Sequence, residues 1–257
     1  MDSRTMDSRF VQVFFDWYTI SADLLLIIGV ICFIKLPKKK KADIHYWLPF
    51  LILVFTVISE NMGAYTVYDV EFNKSVNAYL GNTEYPHFNL WLNNITKRQI
   101  GTILFLLLIK TWLEPSKRKY INWMIFIFIV LTFVLQFSGI ESISLNQPII
   151  FTIGANMILI GSGLYFIGMI THEQYLERNP LRLLSFWQMT FIMFTFTLTY
   201  ICSVSLLYLY EVNYILGKSL WQIDMVMVLI TLAILTLTVA SPLWPGIFEK
   251  EPSYEFS

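Results

Sequence analysis

The sequence predicts an all-α fold: a polytopic membrane protein, built as a bundle of seven transmembrane helices with the N-terminus outside and the C-terminus inside. Three observations predict it. Seven long apolar runs fill most of the 257 residues. Charged residues make up 14% of the chain, against about a quarter in a soluble domain, and fall almost only between the runs. Basic residues gather in alternate loops. A run of about 18 apolar residues crosses roughly 30 Å of hydrocarbon as a helix. The helix satisfies its own backbone hydrogen bonds where water cannot.

The spans read as 17–36, 47–68, 99–114, 120–139, 149–170, 186–210 and 220–242, a single domain over 1–257. The third and fourth are separated by Glu114-Pro115-Ser116, where proline lacks the donor that would continue a helix. Lys38, Lys39, Lys40 and Lys41 follow the first span. Lys117, Arg118 and Lys119 follow the third, and Arg178 and Arg182 the fifth. The opposite loops differ. Ser138 to Pro148 holds Glu141 and no Lys or Arg, and the segment after the sixth span holds Glu211 and Lys218. The positive-inside rule therefore places the lysine-rich loops in the cytoplasm, together with the short acidic tail from Gly246 to Ser257.

The outer loop 69–98 carries Tyr79, Tyr85, Pro86, His87, Phe88, Trp91 and several asparagines. It is too long for a tight turn and too apolar for a linker. It predicts ordered structure on the membrane face, with a short interfacial helix around 87–95. Asn94-Ile95-Thr96 matches a glycosylation acceptor, a weak pattern without meaning in a bacterial protein. Tyrosines and tryptophans near the span ends, among them Tyr18, Trp112, Trp187 and Trp221, read as an aromatic belt. The N-terminal MDSR-TMDSR near-duplicate lacks the features of a signal peptide.

Several function classes are excluded. A net charge of zero leaves no electrostatic footprint for nucleic acid. Cys32 and Cys202 lie inside apolar runs and read as small buried hydrophobes. No HExxH, GxSxG, P-loop or paired-aspartate motif occurs. His45, His87 and His172 lie on separate segments, so no metal site and no cofactor is expected. The seventh span has no lysine for a retinal Schiff base, and the halves show no inverted repeat of the kind transporters carry.

Ionisable groups inside spans are expensive and mark functional sites. Asp23, Glu60, Lys110 and Asp224 are the four here. At about 1.5 Å per residue, Asp23, Glu60 and Asp224 lie roughly 9, 12 and 6 Å below the outer ends of their spans. Asn61 follows Glu60, and Asn156 lies about 10 Å into the fifth span. Lys97, Arg98 and Gln99 open the third span at the same side, where Arg98 or Lys97 can neutralise a carboxylate. Glu60, Asn61, Asp23, Arg98, Asn156 and Asp224 are thus the candidate ligand-binding set around an outward-facing polar cavity. The competing reading is interhelical hydrogen bonding that fixes the bundle. Lys110, near the inner end of its span, reads as a snorkelling lysine.

Gly154, Ala155, Gly161, Ser162, Gly163 and Gly168 permit close packing of the fifth span, either at the centre of the bundle or in a homodimer. Thr190, Thr195, Thr197, Thr199 and Ser203 on the sixth span can bond back to their own helix.

Ser59-Glu60-Asn61, Asn89-Leu90-Trp91, and Asn179-Pro180-Leu181 followed by Phe186-Trp187 carry a resemblance. In these stretches the chain resembles small seven-span membrane proteins of unassigned function in Gram-negative bacteria. Where that group continues with small residues, this chain has Gln188-Met189-Thr190. The resemblance implies a bacterial inner membrane and supplies no activity. The residues then predict a non-enzymatic sensory or signalling protein. Its outer cavity binds a small ligand, and its basic inner loops meet a cytoplasmic partner such as a kinase. The alternatives are a small transporter or channel with Glu60 in the path, and an intramembrane enzyme.

Overall fold

The computed structural model describes residues 10–252, and for 203–211 the backbone alone. The MDSR-TMDSR repeat, the end of the tail and the side chains of Ser203, Tyr210 and Glu211 lie outside the described residues. Among the described residues the fold is all-helical. We number the helices α1 (Trp17–Lys35), α2 (Ile44–Tyr68), α3 (Val70–Tyr79), α4 (Thr102–Trp112), α5 (Pro115–Phe137), α6 (Pro148–Thr171), α7 (Leu184–Val212) and α8 (Tyr214–Ala240).

Six helices are long and apolar enough to cross a membrane: α1, α2, α5, α6, α7 and α8. The third predicted span, 99–114, takes a different form. Its α-helical part, α4, has 11 residues. A one-turn helix, Leu90–Asn93, and an eight-residue π-helix, Asn94–Gly101, lead into it. Backbone helicity is thus continuous over 90–112. The short helix expected around 87–95 is the beginning of this path. The segment before it, expected to lie on the membrane face, contains α3.

Local chemistry sets the other boundaries. Asp16 and Asp43 cap α1 and α2, accepting from the amides of Tyr18 and His45 at 3.1 Å each. Pro115 opens α5 and Pro148 opens α6, where a missing amide costs nothing. The buried Glu141 carboxylate accepts from the amides of Ile149 (2.5 Å) and Ile150 (2.8 Å), satisfying donors that the first turn of α6 leaves free. The loop expected after the sixth span shrinks to Asn213, whose side chain accepts from Leu216 N at 3.1 Å. Lys218 is therefore helical.

Helix α6 lies at the centre and α5 at the rim. Of the most apolar window, 44% is buried in α6 and 17% in α5. The glycine face of α6 makes this approach possible. A Cβ on Gly154 would lie 2.9 Å from Thr102 Oγ1 and 3.1 Å from Phe128 Cε2. One on Gly161 would lie 3.1 Å from Ile121 and 3.3 Å from Ile109. This face, at Gly154 and Gly161, is occupied by α4 and α5 of the same chain.

The helices alternate in direction, which gives the bundle two ends of different character. One is rich in asparagine. Asn77, fully buried, donates to Phe88 O (2.9 Å), and Asn73 donates to His87 O (3.0 Å). Asn82 reaches Ser144 O at 3.1 Å, and Asn94 reaches Ile143 O and Leu145 O at 2.8 and 2.6 Å. These amides replace secondary structure as partners for loop carbonyls, and they tie 73–94 to 141–147. Asn94 is fully buried, so the folded chain does not present that acceptor pattern at its surface.

The other end carries Lys38–Lys41, Lys117, Arg118, Arg178 and Arg182. Here the tail folds back. Glu249 N donates to Arg182 O at 2.9 Å, and the Glu249 carboxylate lies 3.4 Å from the Arg182 guanidinium. The Glu251 carboxylate accepts from Ser185 N (2.8 Å) and Ser185 Oγ (2.7 Å) at the start of α7. Burial pushes the Glu251 carboxyl above its ordinary value of 4.5, while the Ser185 bonds and the nearby His45 pull the other way. A carboxyl with a higher pKa folded than unfolded binds its proton more tightly in the folded state. Docking of the tail is thus most favourable below 4.5 and weakens as pH rises through the raised value. A spin label at Lys250 is expected to gain mobility as pH rises through that raised value. Glu251→Gln should remove the dependence, and an unchanged profile in that variant would assign it to another group.

Candidate functional site

Helices α1, α2, α4, α7 and α8, with Phe151 of α6 and the π-helical segment, enclose a cavity of about 290 Å³. Each helix turns one face to it. On α2 this face is Ile52, Phe55, Thr56, Ser59 and Glu60; on α8 it runs from Trp221 through Asp224 and Val228 to Leu232. The spacing of three, four and seven is that of a helix stripe. Charge collects toward the asparagine-rich end, and the deeper wall is apolar.

Glu60 is the centre of the charged group. Its Oε1 lies 2.8 Å from Lys97 Nζ and accepts from Tyr18 Oη at 2.9 Å. The Glu60 side chain is 14% exposed and that of Lys97 48%. The pair is therefore half-solvated, and its strength lies between that of a surface and a buried ion pair. Asp224 accepts from Thr199 Oγ1 at 2.6 Å, and Thr195 and Thr231 share a 2.8 Å hydroxyl contact deeper down.

The π-helix aims Lys97 at this group. Lys97, Arg98 and Gln99 are adjacent, yet they part: Lys97 meets α2, and the other two meet the 141–147 loop. Lys97 turns to Glu60 of α2, Arg98 donates to Asn146 Oδ1 (2.7 Å), and Gln99 donates to Gln147 Oε1 (3.1 Å). The i→i−5 turn is wider than an α turn and brings Thr96 O close to Gly101, where a Cβ would sit 3.0 Å from that oxygen. Glycine avoids that contact.

Of the six residues singled out from sequence, Glu60 and Asp224 line the cavity. Asn61 and Asp23 meet each other beside it. Asn61 Nδ2 donates to Asp23 Oδ1 at 2.7 Å and to Val57 O at 3.0 Å, joining α1 to α2. Arg98 lies behind the wall, stacked 5.5 Å from the Phe151 ring and directed to the 141–147 loop. Asn156 is exposed and donates to Thr152 O of its own helix at 2.8 Å. Two residues, or about 200° around the helix, separate it from Gly154, whose face is turned inward. Lys110 lies in the last turn of α4 at the basic end.

Several lining residues carry no such signal in sequence. Tyr18 and Trp221 read as belt aromatics, yet both line the cavity. Thr197 bonds back to Met193 O as expected, whereas Thr195 and Thr199 reach across to α8. The usable signal is the i, i+4 spacing of Thr195 and Thr199, which places them on one face. Phe55, Phe105 and Phe196 are ordinary apolar residues in the sequence.

Among the described residues no group of three or more His, Cys, Asp or Glu side chains is placed to hold a metal ion. Cys32 and Cys202 are free and buried. No family model matches the chain, and no curated protein and no solved structure is significantly similar to it.

Proposed function

We propose that this protein is a seven-helix sensory receptor of a bacterial inner membrane, with 90–112 as the seventh crossing, the N-terminus outside and the C-terminus inside. A small molecule enters the cavity from the asparagine-rich side, and its occupancy is read at the basic end by a cytoplasmic partner such as a kinase. One observation carries this reading: the cavity is closed at the basic end. Beyond its deepest wall the bundle is filled by Leu108, Ile109, Met189, Ile192 and Leu235, each no more than 1% exposed. A buried relay follows, in which Trp112 donates to Gln188 Oε1 at 2.6 Å and Gln188 donates to Thr238 Oγ1 at 2.5 Å. It joins α4, α7 and α8, the helices that also wall the cavity, to the end where the tail docks.

Single-cysteine labelling in intact cells tests direction and closure together, in a background lacking Cys32 and Cys202. Leu145→Cys is expected to react with a small impermeant methanethiosulfonate from outside, and Ser116→Cys only after the inner face is opened. Val228→Cys, on the cavity wall, is expected to react from outside alone. Labelling of Val228→Cys from both faces would instead favour a transporter or channel with Glu60 in its path. Reversed labelling of the two loop positions would overturn the orientation.

A further inference from the structure

We infer that the cavity takes a monovalent organic cation with an apolar body, and that Asp224 is its counter-ion. This deepens the reading of the cavity as a ligand site and rests on it.

The argument begins with charge. Three fully ionisable side chains line the cavity: Glu60, Lys97 and Asp224. Lys97 and Glu60 neutralise each other at 2.8 Å. Asp224 is left with one donor among the described bonds, the Thr199 hydroxyl at 2.6 Å. Asp224 therefore has no cation within ion-pair distance among the described residues. Arg98, adjacent to Lys97, is turned away to Asn146. A carboxylate held out of water is costly until a cation pairs with it. An anionic ligand would meet Asp224 unopposed, because the cavity's own ammonium is already engaged.

The surroundings say which cation. Trp221 lies three residues before Asp224 on the same face of α8, and Phe55, Phe105, Phe151 and Phe196 complete an aromatic wall. Ring faces attract an ammonium centre that has shed its water, and they suit alkylated ammonium better than an inorganic ion. A hard metal cation takes about six or more oxygens, and the deeper hydroxyls of Thr195 and Thr231 are committed to each other at 2.8 Å. Below the charge, Val228 and Leu232 continue the wall, and the Thr195 and Thr231 hydroxyls there are bonded to each other and to Met227 O, so the ligand's body is apolar. The volume of about 290 Å³ is at the small end of ligand pockets.

Calorimetric titration of the full chain in lipid nanodiscs tests this with three probes of matched shape. Benzyltrimethylammonium is the cation, neopentylbenzene its neutral carbon isostere, and phenylmethanesulfonate the anion. The cation is expected to bind at least about tenfold more tightly than either of the others, as a charge pair in a partly dry site requires. Asp224→Asn should remove that preference. Lys97→Gln frees the Glu60 charge and should tighten cation binding several-fold, which gives an answer even if Asp224→Asn does not fold. Equal binding of the neutral or anionic probe, or cation affinity indifferent to Lys97→Gln, overturns the cation assignment and leaves a ligand site of another class. No saturable binding of any of the three overturns the ligand-site reading itself.

Discussion

Glu60→Leu is expected to lower the stability of the folded chain by about 2–4 kcal/mol, the usual cost of stranding a charged partner in a partly buried site. The substitution leaves the Lys97 ammonium without its 2.8 Å partner and the Tyr18 hydroxyl without its acceptor. Lys97 is half-exposed and can turn to water, which keeps the cost below that of a fully buried pair. Tyr18 is 8% exposed and has less freedom to do so. Glu60→Gln keeps an acceptor for both donors, and the expected loss is about 1 kcal/mol, a typical hydrogen-bond difference. Unfolding of the purified protein in detergent, followed by tryptophan fluorescence, measures both. Equal stability of the two variants would mean that the ion pair contributes nothing, and that Glu60 belongs to the cavity without supporting the bundle.

Gly154→Leu is expected to be the most damaging change along α6, at about 3 kcal/mol or more, in line with forced overpacking of a close helix contact. Its first side-chain atom would already lie 2.9 Å from Thr102 Oγ1 and 3.1 Å from Phe128 Cε2. Thr102 is held by its own 2.6 Å bond to Arg98 O, so it cannot yield without loosening the π-helical segment that aims Lys97. Gly161→Leu meets Ile121 and Ile109 and should cost somewhat less, because those side chains are flexible. Gly163→Leu is the control: nothing lies within 4 Å of a Cβ there, and the change should be close to neutral. The yield of monodisperse protein and its unfolding midpoint read out all three. Equal loss at Gly154 and Gly163 would remove the packing explanation.

The sequence exposes most of the helices, since a long apolar run has few other stable states in lipid. It misses the form of the third apolar segment. The run 99–114 is legible as apolar, but the polar stretch Asn94 to Gln99 hides a helical path that starts at Leu90. The turn after the sixth span is misread for a related reason. Glu211, Asn213 and Lys218 look like a loop, although a capped helical hairpin accommodates them. At the site, Glu60 and Asp224 are legible because charge inside a span is costly. Asn156 is misplaced because its depth is readable while its direction is not. One residue of error in phase rotates a side chain by about 100°. The aromatic wall is invisible for the opposite reason, since phenylalanine in such a span has no distinctive cost.

What the sequence by itself determines here is that the chain forms helices for a membrane, and which few residues carry an energetic burden inside them. Those are local consequences of hydropathy and desolvation. The tertiary structure alone decides which burdens meet. Glu60 finds Lys97 and Tyr18, Asp224 finds Thr199, Asp23 is taken by Asn61, and Arg98 is drawn behind the wall to Asn146. These pairings depend on helix phase and on the distance between axes. The glycine face of α6 sets its distance to α4 and α5, the π-helical turn sets the direction of Lys97, and neither follows from the residues one at a time.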